Sequence, residues 1–212
     1  MTESHENWDT ILEVVSKTAE KIFLLLTVGG GVRTADDMRR LLLAGADKGA
    51  MSSAAVTRPE LISEAARKFG SQCVVVAVDA RQTAPGQWEV FTHGGRTPTG
   101  INAIDWCRQA AERGAGEILL TSMDRDGTGS GFDLDLLRAA TQAVRLPIVA
   151  SGGVGTLEHF VEGAKAGATG LLAASVFHFG QFTVAQVKQA LSNAGLPVRP
   201  SPAPFQVSQT HD

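Results

Sequence analysis

Short, almost wholly apolar runs alternate along this chain with longer stretches whose apolar residues recur every third or fourth position. FLLLTVG (23–29), KGAMSS (48–53), CVVVAVDA (73–80), EILLTSMD (117–124), PIVASGG (147–153) and GLLAAS (170–175) predict strands. Most of them are apolar on both faces, as strands in a helix-covered parallel sheet must be. Segments 34–44, 58–69, 100–113, 133–144, 156–166 and 183–194 predict amphipathic helices, several followed by glycine where a C-cap belongs. One further helix, WDTILEVVSKTAEKI (8–22), stands before the first strand. Strict alternation of this kind predicts an α/β fold. Residues 81–100 form a long insertion in which TAPGQ signals a turn and WEVF fits one arm of a hairpin.

The chain also repeats itself. With a shift of 122 residues and no gap, Gly30-Gly31 falls on Gly152-Gly153 and Thr34 on Thr156. Ala44-Gly45-Ala46 falls on Ala166-Gly167-Ala168, and Ser53 on Ser175. Such self-similarity favours a (β/α)8 TIM barrel of two half-barrel repeats over an open doubly wound sheet. Six strand-helix units are present, and the second copy's glycine turn is preceded by two units whose strands end at Asp79 and Asp124. Moved back by one repeat, those positions fall before or at Met1. The expectation is a single barrel domain over 1–196, N-terminally truncated to about six βα units and lacking its first two strands. The proline-rich PVRPSPAPFQVSQTHD (197–212) reads as a disordered tail.

Composition excludes more than it assigns. A formal charge of −3 offers no bulk basic surface for nucleic acid. The longest apolar runs are too short to span a membrane, and the N-terminus lacks the basic-then-apolar order of a secretory signal. Cys73 and Cys107 have no ligand-like spacing and read as reduced, packed thiols of a cytoplasmic protein. The five histidines show no metal spacing, so neither metal nor organic cofactor is expected.

Candidate chemistry gathers at the predicted strand ends. A strand running through Gly-Gly into a capped helix exposes backbone N–H groups beside a positive helix end, which suits a phosphate. Each glycine turn is followed about 22 residues later by a strand ending in a small hydroxyl residue, Ser52-Ser53 or Ala174-Ser175. Tight βα turns alone would explain one such glycine pair, but two in the same register point to a substrate with two phosphates. Asp79 and Asp124 close buried strands and suit general acid or base work; the alternative is an acid held at a helix N-terminus or in a salt bridge. In the glycine-rich DRDGTGSG (124–131), Asp126 adds an acid, and Gly127 and Thr128 add phosphate contacts. Lys48 and Glu117, at the starts of their strands, read as a solvated rim or a stabilising ion pair.

Five stretches, TVGGGVR, FGSQCVVVAVDA, GAGEILLTSMDRDGTGSGFD, LPIVASGGVG and LLAASVFHFG, together resemble the cyclase subunit of imidazole glycerol phosphate synthase, of histidine biosynthesis. The likeness runs in order from about residue 2 to the end of the last helix. The sister isomerase of that pathway shares the two-half barrel and a similar RDGT loop, and is a weaker alternative. The resemblance implies a TIM barrel that takes ammonia from a glutaminase subunit docked at the N-terminal face of the barrel. It implies a bisphosphorylated formimino-carboxamide ribonucleotide as substrate. Asp79 then matches a catalytic acid, and Gly31 and Ser53 match the first phosphate site. Gly127, Gly153, Ala174 and Ser175 match the second. Asp126 and Thr121 match positions lining the active site, and Lys48 and Glu117 match two members of a charged ammonia gate.

The sequence departs from that family in stated places. The strand that carries the family's other catalytic aspartate is absent, and so are the second strand and the remaining gate residues. Ser52 stands where the family carries an asparagine close to the substrate, KGAMSS replaces a more β-branched strand, and FLLLTV lacks a proline. A chain of another class, binding phosphates or the glutaminase subunit without turnover, therefore remains an alternative to the active enzyme.

Overall fold

A computed structural model describes residues 3–199, with side chains from residue 8 onward. The elements in order are α1 (Glu3–Ala19), β1 (Thr27–Gly29), α2 (Ala35–Leu43), β2 (Lys48–Met51), α3 (Ser53–Thr57) and α4 (Glu60–Phe69). β3 (Val74–Ala84), β4 (Gln87–Thr92), β5 (Thr97–Asn102), α5 (Ala103–Glu112), β6 (Glu117–Ser122) and α6 (Leu134–Ala143) follow. The last are β7 (Ile148–Ser151), α7 (Leu157–Lys165), β8 (Gly170–Leu172), α8 (Ser175–His178) and α9 (Val184–Asn193). Strands pair in the order β1-β2-β3-β6-β7-β8, all parallel, while β4 joins β3 and β5 joins β4 antiparallel. This is an α/β fold with a curled half-barrel sheet. Among the described residues β1 and β8 are its two ends. Of the expected tail only 197–199 are described; 200–212 lie outside the described residues.

The apolar runs divide their side chains between two faces. Val74, Val76, Val78 and Ala80 of β3, Ile118 and Leu120 of β6, and Ile148 and Ala150 of β7 belong to one cluster with helix residues such as Leu61, Trp106, Leu136 and Phe160. That layer between sheet and helices is the main core. The intervening residues face the inner side: Ala77, Leu119 and Val149 lie in register across three strands, and Asp79, Thr121 and Ser151 follow two residues on. These inner residues are half-buried. Period-2 geometry thus lets one buried run supply both a dry core and a second, partly wet face.

The repeat is structural as well as sequential. β1 pairs with β2 through Thr27 and Lys48, β7 with β8 through Val149 and Gly170, the same register moved by one repeat. Thr34 and Thr156 cap α2 and α7 with nearly equal backbone angles, each inside a capping box closed by Asp37 or His159. Gly45 and Gly167 leave those helices with the same φ of 107°, a left-handed turn that glycine enters without a Cβ penalty.

Most boundaries shift from the expectation, GLLAAS (170–175) for example ending as a strand at Leu172 before α8 begins at Ser175, and four shifts have a clear local cause. The strand expected over 23–29 shrinks to β1, because Leu26 N–H donates to the Asp47 carboxylate at 2.8 Å and pairing begins only there. Phe23 upstream is 96% exposed. The run 48–53 ends at Met51, since Ser52 turns the chain into α3, and Pro59 then opens α4 where its missing N–H costs nothing. β3 continues to Ala84 because β4 pairs with its extension, so the insertion is a full hairpin of β3, β4 and β5. The helix expected from 100 starts at 103, where Asn102 accepts from the N–H groups of Ile104 and Asp105.

Candidate functional site

Two clefts open where the parallel strands end. The first, about 670 Å3, is lined by Gly30, Gly31, Ser52, Ser53, Asp79 and His93, with Arg33 and Arg58 among its other walls. The second, about 510 Å3, is lined by Asp126, Gly127, Gly153, Ala174 and Ser175 with their neighbours. The glycines and serines expected at the phosphate sites divide between the two clefts, Asp79 lines the first, and Thr121, Lys48 and Glu117 line neither. Thr121 of β6 stands beside Asp79 of β3 on one side and Ser151 of β7 on the other. The N-caps of α3 and α8, Ser52 and Ala174, make no side-chain cap, so the first N–H groups of both short helices keep their donors for another partner.

The glycine turns are alike in backbone and unlike in surroundings. Gly30 and Gly31 have φ of 82° and 131°, Gly152 and Gly153 96° and 99°, all in the left-handed region. In the second copy the loop after β6 folds over the turn, and Gly131 N–H donates to the Gly153 carbonyl at 2.7 Å. A Cβ on Gly153 would stand 2.2 Å from the Gly131 oxygen. In the first copy a Cβ on Gly31 would meet the Trp8 ring of α1 instead, and one on Gly30 would meet nothing within 4 Å.

Asp79 is the carboxylate whose setting changes its chemistry. Burial raises its pKa above the ordinary carboxylate value, and the negative charge of Asp126 raises it further. A half-buried acid held more readily protonated than usual, at the rim of a cleft with donor groups, can deliver or accept a proton. The expected strand ends shift: Asp79 lies inside the lengthened β3, and Asp124 lies in the turn after β6, where its carboxylate accepts from Gln82 N–H at 2.7 Å and fastens the extension of β3.

Lys48 and Glu117 lie at the opposite ends of the strands. Their side chains join at 2.7 Å, with exposures of 20% and 17%. The ion-pair reading of these residues holds, in a partly buried form.

Several residues that shape the clefts were not singled out from the sequence. Asp133 caps α6 and accepts from Trp88 Nε1 at 3.1 Å and from Ser122 Oγ at 3.3 Å, tying the hairpin to the base of the glycine-rich loop. His93 N–H donates to Ser53 Oγ at 3.0 Å. The only local signal for the second contact is the His-Gly-Gly turn, which says where a tip lies and not what it touches. Among the described residues no group of three or more His, Cys, Asp or Glu side chains is arranged to hold a metal. No described helix is long and apolar enough to cross a membrane.

Comparison with known proteins gives the chain a family. A family model described as "Histidine biosynthesis protein" matches residues 1–183. "Imidazole glycerol phosphate synthase subunit HisF" of Gluconacetobacter diazotrophicus is 83% identical over 203 residues, covering 96% of this chain and 79% of that protein. The present chain is the shorter of the two. With duplicated glycine turns, strand-end serines and the RDGT loop all inside the matched span, the chain belongs to the histidine biosynthesis protein family as a HisF-type member.

Proposed function

We propose that this chain is the cyclase subunit of imidazole glycerol phosphate synthase. In that role it uses ammonia to convert phosphoribulosyl-formimino aminoimidazole carboxamide ribonucleotide into imidazole glycerol phosphate and aminoimidazole carboxamide ribotide, as a lyase of histidine biosynthesis. The observation that carries the reading at the level of the site is the pair of repeat-related clefts with Asp79 at one of them. Two backbone-donor cups suit a ligand with a phosphate at each end. In this reading Gly31, Ser52 and Ser53 hold one phosphate, and Gly127, Gly153, Ala174 and Ser175 hold the other. Thr121 and Asp126 line the path between them.

Asp79 is the acid/base of this arrangement. Its raised pKa keeps part of the population protonated nearer to neutral pH, so it can give a proton to the group that leaves and recover one from the attacking ammonia. The partner is a glutaminase subunit of the HisH kind. It docks on the face where Lys48 and Glu117 meet, and ammonia passes that pair on its way to the clefts. Residues 1–196 act as one domain, and the two unpaired cysteines fit a reducing cytoplasm.

Asp79→Asn tests the assignment. It keeps the shape and the hydrogen-bonding reach of the carboxylate but cannot exchange the proton. Ammonia-dependent formation of imidazole glycerol phosphate should fall at least about a hundredfold, the usual range for a lost general acid or base, with substrate affinity within about threefold. Unchanged turnover would remove Asp79 from the mechanism.

A second reading has its own observation. Among the described residues the sheet does not close, and the inner row Ala77, Leu119 and Val149 is only half-buried. A chain in that state can bind the bisphosphate, or the glutaminase subunit, without turning over. Calorimetric binding of the substrate with no product released would favour this reading over the active enzyme.

A further inference from the structure

The two cups share a backbone plan, and among the described residues the tip of the inserted hairpin bonds to the strand-end serine of the first and not to that of the second. The β4–β5 hairpin ends in His93-Gly94-Gly95, whose φ angles are 55°, 65° and 80°. Among the described residues His93 is the one non-glycine with positive φ. Its backbone is gripped from both sides. His93 N–H donates to Ser53 Oγ at 3.0 Å, and its carbonyl accepts from Arg96 Nε at 2.8 Å. Arg96 N–H closes the turn onto the Thr92 carbonyl at 3.0 Å. The imidazole is turned back on the hairpin, its Nδ1 3.1 Å from Thr92 Oγ1.

A serine hydroxyl has one hydrogen and two acceptor lone pairs. With one lone pair of Ser53 taken by His93 N–H, and no acceptor for its hydrogen among the described residues, the hydroxyl is left as a donor beside the cleft. Ser175, its counterpart in the repeat, receives no such bond from the described residues.

We propose that His93 is a positioning residue for the first cup: its left-handed backbone aims an N–H at Ser53 Oγ and so presents the Ser53 hydroxyl as a donor to a phosphate. The proposal rests on the reading of the first cleft as a phosphate site. It locates the effect in the main chain of His93 and not in the imidazole. The backbone requirement separates the variants, because glycine adopts φ near 55° freely and a β-branched residue does not.

The test is calorimetric affinity of the chain for phosphoribulosyl-formimino aminoimidazole carboxamide ribonucleotide, which needs no turnover. Ser53→Ala should weaken binding about tenfold, the scale of one hydrogen bond to a charged group. His93→Gly should stay within about twofold of the parent. His93→Val should weaken binding about tenfold alone and by less than about twofold when Ser53 is already alanine. Thermal unfolding is followed for each variant. His93→Ala replaces His93→Val if the latter loses its cooperative transition, with the same non-additivity expected. Equal losses for His93→Gly and His93→Val would overturn the proposal in favour of the imidazole, and additive losses with Ser53→Ala would overturn it outright. No effect of Ser53→Ala, or no binding by the parent chain, would instead sink the phosphate reading of the cleft and this proposal with it.

Discussion

Lys48 Nζ donates to Glu117 Oε2 at 2.7 Å although β3 lies between their strands. Both side chains reach across the inner face at the start of the sheet, where about four-fifths of each is covered. An exposed pair is worth at most about 1 kcal/mol, while stripping one partner from a buried pair costs about 3–5 kcal/mol. This pair lies between those limits. Lys48→Ala should cost about 2 kcal/mol, because Glu117 keeps its charge and loses its partner. Lys48→Ala with Glu117→Ala should cost clearly less than the two single losses together. Urea unfolding of the four proteins measures the coupling, and simple additivity would mean that the contact carries none. If the pair also gates ammonia, both single variants should lower glutamine-dependent turnover more than turnover with added ammonia.

The Asp79 carboxyl links pH to stability with a definite sign. Its folded pKa lies above the unfolded value, so the folded chain holds the proton more firmly. Between the ordinary carboxylate value and the raised one, the unfolded chain binds fewer protons and stability falls as pH rises. Above that window the full cost of a charged, half-buried Asp79 is present. Asp79→Asn should therefore raise the melting temperature at neutral pH, with the gain shrinking towards zero as pH falls below the ordinary carboxylate range. A gain that persists unchanged at low pH would show that charge is not its source.

Burial also decides which thiol reacts. The Cys107 thiol, in the core beneath α5, has its pKa pushed up to about 12, chiefly by burial. Cys73 is half-buried at the end of the turn before β3. Since the thiolate is the nucleophile, the native chain at pH 8 should titrate about one thiol with a disulfide reagent, and two after denaturation. Rapid reaction of both in the native chain would contradict the packing of α5 against the sheet.

What the sequence made legible was what local pattern and repetition control. Apolar runs located the parallel strands, and the repeat located both glycine turns and both serines; which side Val76 or Ile118 faces was not legible, because the runs are apolar on both faces. Contacts between distant segments left no such trace. Lys48 and Glu117 are 69 residues apart, and their places at strand starts left a solvated rim and an ion pair both open. In the sequence Asp124 closes its run just as Asp79 does. Yet Asp79 lies inside the lengthened β3, while Asp124 lies in the turn after β6 and fastens Gln82, because the extended β3 comes alongside only once β4 pairs with it. FLLLTVG reads as seven strand residues because its composition is right. It yields three because β2 offers no partner before Lys48.

The four glycines of the two turns share a left-handed backbone, and packing separates them. Gly30 and Gly152 are repeat partners, as are Gly31 and Gly153, and all four have left-handed φ. A Cβ at Gly30 meets open space, so Gly30→Ala carries only the backbone penalty of about 1–2 kcal/mol. A Cβ at Gly153 stands 2.2 Å from the Gly131 carbonyl oxygen and 2.9 Å from Arg125 Cβ, inside a turn closed by the Gly131-to-Gly153 hydrogen bond. Neither neighbour is the far end of a flexible side chain, so the glycine-rich loop must move. Gly153→Ala should therefore cost about 1–3 kcal/mol more than Gly30→Ala, an overpacking penalty added to the backbone penalty that both share. Equilibrium unfolding of the two variants decides it. Equal losses would mean that the loop yields without cost, and that its seat over the second cup is not held in place by packing.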